Sequence, residues 1–454
     1  MTQQIYLTDF ETFASNGGGV GPSWVPRLRR AAIARFAELG FPTPRNEDWH
    51  FTSVAPIAEA EFHPLEAASG EVRAADLAPF VFGRVDWPTI VFVNGRHAPN
   101  LSTMATLPSG IRVMDLAQAW REAPDLLERH LSKIATFDDQ SFTALNTAFM
   151  YDGAVVHIAK DVQADAPIHL LHVVDPIAAR AVMHPRHLIV VGRHASARVI
   201  ESYVSLGDAR YFSNAVTEVA LGEGAHLAHY KIQRESRRAF HVGTIQVHQP
   251  RDSKYASFSF ATGAALSRTN IYTILDGDGA EVSLNGLYMV DGEQHVDHQT
   301  RIEHAQPNCA SHEVYKGILD GASHGVFNGK VFVRPIAQKT DGKQENNNLL
   351  LSDKARIDTK PQLEIFADDV KCTHGATVGK LDTMSLFYMK SRGLPHEVAR
   401  RLLIYAFAAD VIERLEVPEV RDALEELTLR RFSLVEGEPG AKGQGPGGGS
   451  GAEE

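Results

Sequence analysis

The residues best suited to chemistry lie in one short segment, DVKCTHGATVGKLD, which covers residues 369–382. One residue, Thr373, separates Cys372 from His374, and a glycine-rich run follows them. On a β-strand, residues i and i+2 point to the same face about 6.6 Å apart, so both side chains could reach one metal or sulfur species held between two surfaces. A small buried cysteine beside a turn histidine is the alternative, and the residues taken alone favour it.

The run GATVGKLD imitates a phosphate-binding loop, but its spacing argues against one. A Walker A loop has four residues between its glycines, and its lysine precedes a serine or threonine that binds Mg²⁺. Gly375 and Gly379 have three residues between them, and Leu381 follows Lys380. A catalytic Cys–His dyad would also need a third group to orient the histidine, and the pattern identifies none. Neither chemistry is predicted here.

Composition sets broad limits on function. The 454 residues, 44% hydrophobic and 22% charged, are typical of a globular protein with two or three domains. Because 45 Lys and Arg stand against 56 Asp and Glu, the net charge of −11 argues against binding DNA or RNA. No apolar run of about 18 residues predicts a membrane span, and the first residues lack the features of a signal or transit peptide. We therefore expect a cytoplasmic protein.

The cysteine count limits metal chemistry. Cys309 and Cys372 are two isolated cysteines, which indicates reduced thiols rather than a disulfide framework. An iron–sulfur site usually takes four thiolates or a Cys/His mixture, and a structural zinc site takes four ligands. Neither CxxC nor HExxH occurs. The chain is not expected to build a closed thiolate site alone, but it could supply half of a site shared by two chains.

The first third of the chain has helical patterns. Residues 23–40 carry apolar residues at three- and four-residue spacings and stop at Gly40. Residues 113–135 form a second helical pattern, and a Pro-rich loop with Trp49 lies between the two. These patterns predict a mainly helical N-terminal domain over residues 1–140.

The pattern changes near Phe142, where short β-type runs begin. Alternation is visible at residues 257–260 and 281–284, and turn signals recur at intervals of roughly 13–16 residues. The lack of helical patterns between these runs excludes a doubly wound α/β sheet. A sandwich or a barrel remains open, but the regular spacing favours a β-solenoid. We predict a β core over residues 141–380.

Helical patterns return after Asp382, which is placed to cap a helix that stops at Gly393. Pro395 then stands at the start of a strongly apolar helix. The pattern predicts a helical C-terminal domain over residues 381–436 and a disordered glycine-rich tail over residues 437–454. The apolar helix that begins at Pro395 is expected to be covered on two sides, by its own domain and by either a neighbouring helix or a partner protein. Its apolar stripe consists of Ile404, Phe407, Ala408, Val411, Ile412 and Leu415.

Several histidines cluster in the run EQHVDHQTRIEH. His295 and Asp297 would share a strand face, whereas His298 would point away and His304 lies further along. With 21 histidines in the chain such clusters arise by chance, so a metal site is not favoured here. The following run adds the polar residues Lys316, His324 and Lys330, which fit solvated faces of a solenoid equally well.

Residues 295–333, 337–382 and 386–415 together resemble the SufB/SufD family of the SUF iron–sulfur cluster assembly machinery. A weaker similarity extends upstream through residues 45–53 and 142–159. The run KCTHGATVG at residues 371–379 is similar to the SufD side of this family rather than to the SufB side.

The resemblance implies a right-handed parallel β-helix flanked by helical domains. It implies pairing with SufB through the β-helix, binding of the ATPase SufC through residues 385–415, and a transient iron–sulfur cluster shared with SufB. ATP would act only through SufC, and the chain would be a non-catalytic scaffold, with a homodimer as an option without SufB. His374 would contact the cluster, with Cys372 a weaker candidate. The resemblance assigns partner binding to Leu386, Phe387, Tyr388, Arg392, Gly393, Arg400, Ile404, Phe407 and Val411.

Two other functions fit a β-solenoid. A polysaccharide lyase or hydrolase would need a stripe of paired acids and stacking aromatic residues across consecutive coils, and an aromatic content of 8% gives this little support. A purely structural partner would make His374 an interface residue without a metal.

Overall fold

The computed structural model describes residues 2–16, 21–65, 72–104 and 107–432, and the predicted tail over residues 437–454 lies outside these ranges. The described chain is mainly β, with helices before and after a parallel β-solenoid of about eight turns, which confirms the predicted fold class. Within these ranges, none of the helices has the length and apolar character needed to cross a bilayer.

Within the described ranges, the α-helices lie before residue 150 and after residue 382. They are α1 Thr2–Ser15, α2 Val25–Leu39, α3 Ala55–Ala58, α4 Ala74–Leu77, α5 Leu116–Glu122, α6 Pro124–His130, α7 Ser141–Phe149, α8 Thr383–Ser391, α9 His396–Ile412 and α10 Pro418–Phe432.

Most strands are eight to ten residues long and belong to the solenoid. They are β1 His63–Pro64, β2 Thr89–Val93, β3 Arg96–His97, β4 Ile111–Asp115, β5 Ala154–Ile158, β6 Ile168–Val174, β7 Ala181–Met183, β8 Arg186–Val191, β9 Ser196–Ser205, β10 Phe212–Leu221, β11 His226–Arg234, β12 Phe240–Gln249, β13 Lys254–Ala261, β14 Leu266–Leu275, β15 Glu281–Val290, β16 His295–His304, β17 Ala310–Leu319, β18 His324–Val333, β19 Asp341–Leu350, β20 Arg356–Ile365 and β21 Lys371–Gly379.

The solenoid consists of two sheets, and successive strands of the chain alternate between them. From β8 onward the even-numbered strands pair in one sheet and the odd-numbered strands in the other, and these pairs are parallel. The Cα partners Leu266, His295 and His324 follow one another at intervals of 29 residues. One coil therefore contains two strands, and the turn spacing seen in the sequence corresponds to half a coil.

Alternate residues of each strand face the interior between the sheets. One apolar cluster fills this interior from Ile90 to Ala367. The outer face of the even-numbered sheet packs under the N-terminal helices, where Phe62 contacts the rings of Phe212 and Phe240. The outer face of the odd-numbered sheet is covered by α9 and α10. Side chains on both faces of these strands are therefore buried.

The N-terminal third differs from its predicted helical pattern. The stretch predicted as one helical pattern over residues 113–135 begins inside β4 and is divided into α5 and α6 at Pro124. Asp115 caps α5 by accepting from the Gln118 amide at 2.9 Å, and proline lacks the N–H that would continue the helix. The strands β2 and β4 also lie before residue 141. β2 belongs to the odd-numbered sheet and β4 to the even-numbered sheet of the solenoid.

The C-terminal helices begin and end near the predicted residues. The carboxylate of Asp382 accepts from the amides of Met384 and Ser385 at 3.1 and 2.9 Å, which caps α8. Gly393, with φ of 90°, follows α8, and Pro395 immediately precedes α9. The helix ends at Ile412, earlier than the apolar stripe, although Leu415 is still buried.

Candidate functional site

The segment that holds Cys372 and His374 forms β21, the last strand of its sheet. The Cα partners of these residues on β19 are Gly342 and Gln344, which are both buried in the interior. Because partners in a parallel pair point to the same side, Cys372 and His374 both belong to the inward face of the last coil. Thr373, next to exposed Lys343, belongs to the outward face. The structure thus places the two candidates on one face, as strand alternation predicts.

The last coil has no further coil above it within the described residues. The strands β20 and β21 each pair on one side only, with β18 and β19. No residue of β21 is buried, and His374 is exposed although it belongs to the inward face. We call this uncovered coil, residues 356–379, the open end of the solenoid.

Cys372 differs from His374 in its surroundings. Its side chain is half-buried and packs against the interior cluster, and a Cβ on Gly342 would lie 3.3 Å from its Sγ. Burial raises the pKa of the Cys372 thiol, because the thiolate is poorly stabilised away from water. Near neutral pH Cys372 is therefore a protonated thiol, whereas the imidazole of His374 is open to solvent at the same end.

The residues assigned to partner binding divide into two groups. Phe387 and Tyr388 on α8 are 68% and 58% exposed, and the Arg392 guanidinium lies over the Tyr388 ring at 5.2 Å. In contrast, Ile404 and Val411 are fully buried against the odd-numbered sheet of the same chain. Gly393 is exposed, whereas Leu386, Arg400 and Phe407 are half-buried.

Lys316 fixes α9 to the solenoid. Its ammonium donates to the Phe407 carbonyl at 3.1 Å, lies 2.6 Å from the Asp410 carboxylate and stands 4.6 Å from the centre of the Phe407 ring. The bonded ammonium lowers the pKa of the Asp410 carboxyl. Sequence pattern alone does not distinguish this buried lysine from solvated lysines on the solenoid faces.

The histidine cluster does not form a metal centre. His295 and Asp297 share the outward face and both contact the Thr52 hydroxyl, at 2.9 and 2.6 Å. His298 points inward, where burial lowers its pKa to about 3, and it stacks on Tyr288. Across the part of the chain that the structure describes, no group of three or more His, Cys, Asp or Glu side chains is arranged to hold a metal ion.

A serine-hydrolase spacing also occurs, in the run Gly-Ala-Ser-His-Gly at residues 321–325. A nucleophile elbow presents its serine on a turn between a strand and a helix. Ser323 is instead fully buried between two solenoid strands, and its hydroxyl donates to the Val290 carbonyl at 3.4 Å. This run is a coil turn and does not support acyl hydrolysis.

A cleft of about 790 Å³ lies between the N-terminal segment and the even-numbered sheet. Several of its charged side chains are paired: Arg301 lies 3.3 Å from Glu303, and Lys330 lies 2.6 Å from Glu364. Tyr272 is the one aromatic residue that the sheet contributes to its lining. This arrangement lacks the stripe of paired acids and stacked rings that a polysaccharide enzyme would need, so that alternative is not favoured.

Comparison with known proteins decides the family. The model of the SufBD protein N-terminal region matches residues 4–170, and the model of the SufBD core domain of SUF system FeS cluster assembly matches residues 175–407. The chain belongs to the SufBD family. It is a member of a family of iron–sulfur cluster assembly proteins, and the resemblance that the sequence predicts is confirmed.

Relatives within the SufBD family match along most of their length. An iron–sulfur cluster assembly SufBD family protein of Synechocystis is 34% identical over 93% of this chain and 96% of its own. The iron–sulfur cluster assembly protein SufD of Escherichia coli is 34% identical over 84% of this chain and 87% of its own. SufD of Bacillus subtilis is 29% identical over 90% and 94%.

Two residues that lie below His374 in the stack of coils are not indicated by the sequence patterns. Glu313 and Gln344 precede His374 in the same column of the odd-numbered sheet. Their spacings of 31 and 30 residues equal one coil. Aligning the sequence coil by coil would identify them, because residues at the same position of successive coils stack in one column.

Proposed function

We propose that this chain is a non-catalytic scaffold subunit of the SUF system, which pairs with SufB, binds the ATPase SufC and presents His374 to a nascent iron–sulfur cluster. The observation that carries the proposal is the open end, where a solvent-exposed imidazole stands on an uncovered coil. The cluster is cargo that is built and passed on. The two free thiols, Cys309 and Cys372, support a cytoplasmic location.

Pairing with SufB is supported by the free edges of the last coil. β20 has ten residues and β21 nine, and on the side away from β18 and β19 their backbone groups have no strand to pair with in the described chain. Long uncovered edges favour strand pairing with another chain. A SufB solenoid set against this end would bury these edges and enclose His374 between two surfaces.

A shared cluster fits the chemistry of this end. One imidazole and one protonated thiol are too few to hold a cluster alone, so the remaining ligands would come from the partner. Imidazole coordinates iron through a neutral nitrogen, so binding is expected to weaken at acidic pH. Cys372 stands beside His374 as a weaker ligand candidate, because its raised pKa opposes the thiolate form.

SufC binding is supported by the exposed apolar surface of α8 and the start of α9. Met384 and Phe387 are 71% and 68% exposed, and Leu402 is 42% exposed. A patch of this kind on a capped helix is typical of a docking surface for another protein. Ile404 and Val411, which are buried in this chain, would support that surface from behind. In this proposal ATP acts only through SufC, and this chain carries out no catalytic step.

Anaerobic co-expression with SufB and SufC tests the cluster role. We expect His374→Ala to leave the three-subunit complex intact and to lower its bound iron and sulfide. Thr373→Ala, on the same strand but the opposite face, is the matched control and should keep normal loading. If the His374 variant also loads normally, His374 is a plain interface residue and the shared-ligand proposal fails.

A further inference from the structure

We propose that Gln344, held by Glu313, is a positioning residue for the imidazole of His374. This inference rests on the proposed function, because it concerns how the candidate ligand is oriented. Glu313 on β17 is the Cα partner of Gln344 on β19, and Gln344 is the partner of His374 on β21. All three belong to the inward face, and neighbouring strands are about 4.8 Å apart. The three residues therefore form one column, each one strand below the next.

The Gln344 amide is fixed from two directions. Its Nε2 donates to the Glu313 carboxylate, Oε2, at 2.7 Å. From the opposite sheet, Gly329 leaves the space that the amide occupies, since a Cβ there would lie 2.3 Å from Gln344 Nε2. Both Gln344 and Glu313 are 1% exposed. The amide nitrogen is thus directed at Glu313, which determines where the amide oxygen lies.

The oxygen of that amide lacks a donor. Gln344 Oε1 is buried and has no hydrogen-bond partner in the described chain, although buried acceptors are nearly always satisfied. The next residue in the column is His374, and a neutral imidazole carries one ring N–H. We infer that this N–H donates to Gln344 Oε1 when the ring turns inward. The other ring nitrogen then presents its lone pair toward the open end.

This arrangement would prepare His374 for a metal before the partner arrives. Histidines that bind metals usually donate their other ring N–H to a carboxylate, a carbonyl or water, which fixes the tautomer and the ring orientation. Gln344 would supply that acceptor, and Glu313 would act only by holding Gln344. Losing such a support typically lowers metal affinity about 10- to 100-fold.

The tautomer of His374 is the direct readout, because it needs no cluster and no partner. The full-length chain would be labelled with ¹⁵N-histidine and measured at pH 8 by long-range ¹H–¹⁵N NMR, with His374→Gln used for assignment. We expect one tautomer to dominate at His374 in the parent chain. Gln344→Met removes the acceptor at similar volume and should give a mixture of tautomers. Gln362→Met, on the outward face of β20, should change nothing.

Glu313 provides a second pair of variants. Glu313→Gln keeps an oxygen that can accept from the Gln344 amide and should preserve the His374 tautomer. Glu313→Leu removes that acceptor and should give the same mixture as Gln344→Met. Thermal melting checks that each variant is folded, and Gln344→Asn, which withdraws the amide by one methylene, takes the place of any Gln344→Met protein that does not fold.

Cluster loading of the same variants in the complex with SufB and SufC separates this inference from the proposed function. An unchanged His374 tautomer in Gln344→Met overturns the inference, even if loading falls. A changed tautomer with lowered loading supports both. A changed tautomer with normal loading supports the positioning of His374 by Gln344 and overturns the role of His374 as a cluster ligand.

Discussion

Exposure separates the two reactive residues of β21 from each other. His374 is open to solvent, whereas Cys372 packs partly into the interior with a raised thiol pKa. Cys309, the other cysteine, is 1% exposed, and burial raises its pKa to about 11. The chemistry of this chain at its open end therefore centres on the imidazole, with the thiol as a poorly ionised neighbour.

Alkylation of the two thiols tests this ranking. In the chain alone we expect iodoacetamide to label Cys372 well before Cys309, because only Cys372 is accessible to solvent. The rate at Cys372 should still be rising above pH 9.0, the ordinary value for this group, because its pKa is raised and the thiolate is the reactive form. Peptide mass spectrometry measures both sites, with the urea-unfolded chain as the control. Equal labelling of the two cysteines in the folded chain would contradict the ranking.

Glu313 should make stability depend on pH. Burial raises its pKa from 4.5 to about 7, so the folded chain binds a proton that the unfolded chain releases between these values. The folded state thus loses stability as pH rises from about 4.5 to 7. Glu313→Gln removes this loss, so we expect the variant to gain about 1–3 kcal/mol relative to the parent between pH 5 and pH 8. Urea unfolding at both pH values measures the difference, and a constant difference would show that Glu313 does not titrate there.

At the scale of elements, the C-terminal helices α8 and α9 differ in how much of their surface the chain itself covers. α9 buries Ile404 and Val411 on the odd-numbered sheet, and Lys316 fastens it through Asp410 and the Phe407 carbonyl. α8 is capped by Asp382, packs against α9 and buries none of its residues. The sequence shows an apolar helix, but only packing reveals which of its residues are already covered.

Substitutions on the two helices should affect different properties, partner binding for α8 and stability for α9. Phe387→Ala, at an exposed site, should leave the melting temperature unchanged and reduce co-purification with SufC. Ile404→Ala, at a fully buried site, should cost about 2–5 kcal/mol of unfolding free energy. Urea unfolding and affinity co-purification measure the two effects. Undiminished SufC binding by Phe387→Ala would remove α8 from the proposed surface.

At the scale of the whole molecule, the sequence predicts the class of fold more securely than its limits. Alternating runs and regular turns indicate a solenoid because each coil repeats one local pattern. They do not show that β2 and β4 enter the sheets from the N-terminal third, since these pairs join residues far apart, such as Val91 and Leu171. The same limit applies to the candidate site. Cys372 and His374 are neighbours in the sequence, whereas Glu313 and Gln344 share a column with His374 only because the coils stack.

The open end also predicts self-association. Without a partner, the chain should form concentration-dependent dimers through β20 and β21, because their edges are unpaired. Val378→Lys, at a 50% exposed position of β21, should reduce this dimer by placing a charge on the buried contact. Ile336→Lys, at a 59% exposed position before β19, is the control. Light scattering across a concentration series measures both, and equal dimer in the two variants would place the contact elsewhere.

The last coil has one neighbour where every inner coil has two. In a stack whose stability is a sum of nearest-neighbour contacts, an end coil is the first to open and the first to gain when another surface covers it. A partner that docks on residues 356–379 would turn an end coil into an inner one. The strand that carries His374 would then reach its full local stability only in the assembled complex. The site would therefore be fully ordered only after every partner has bound.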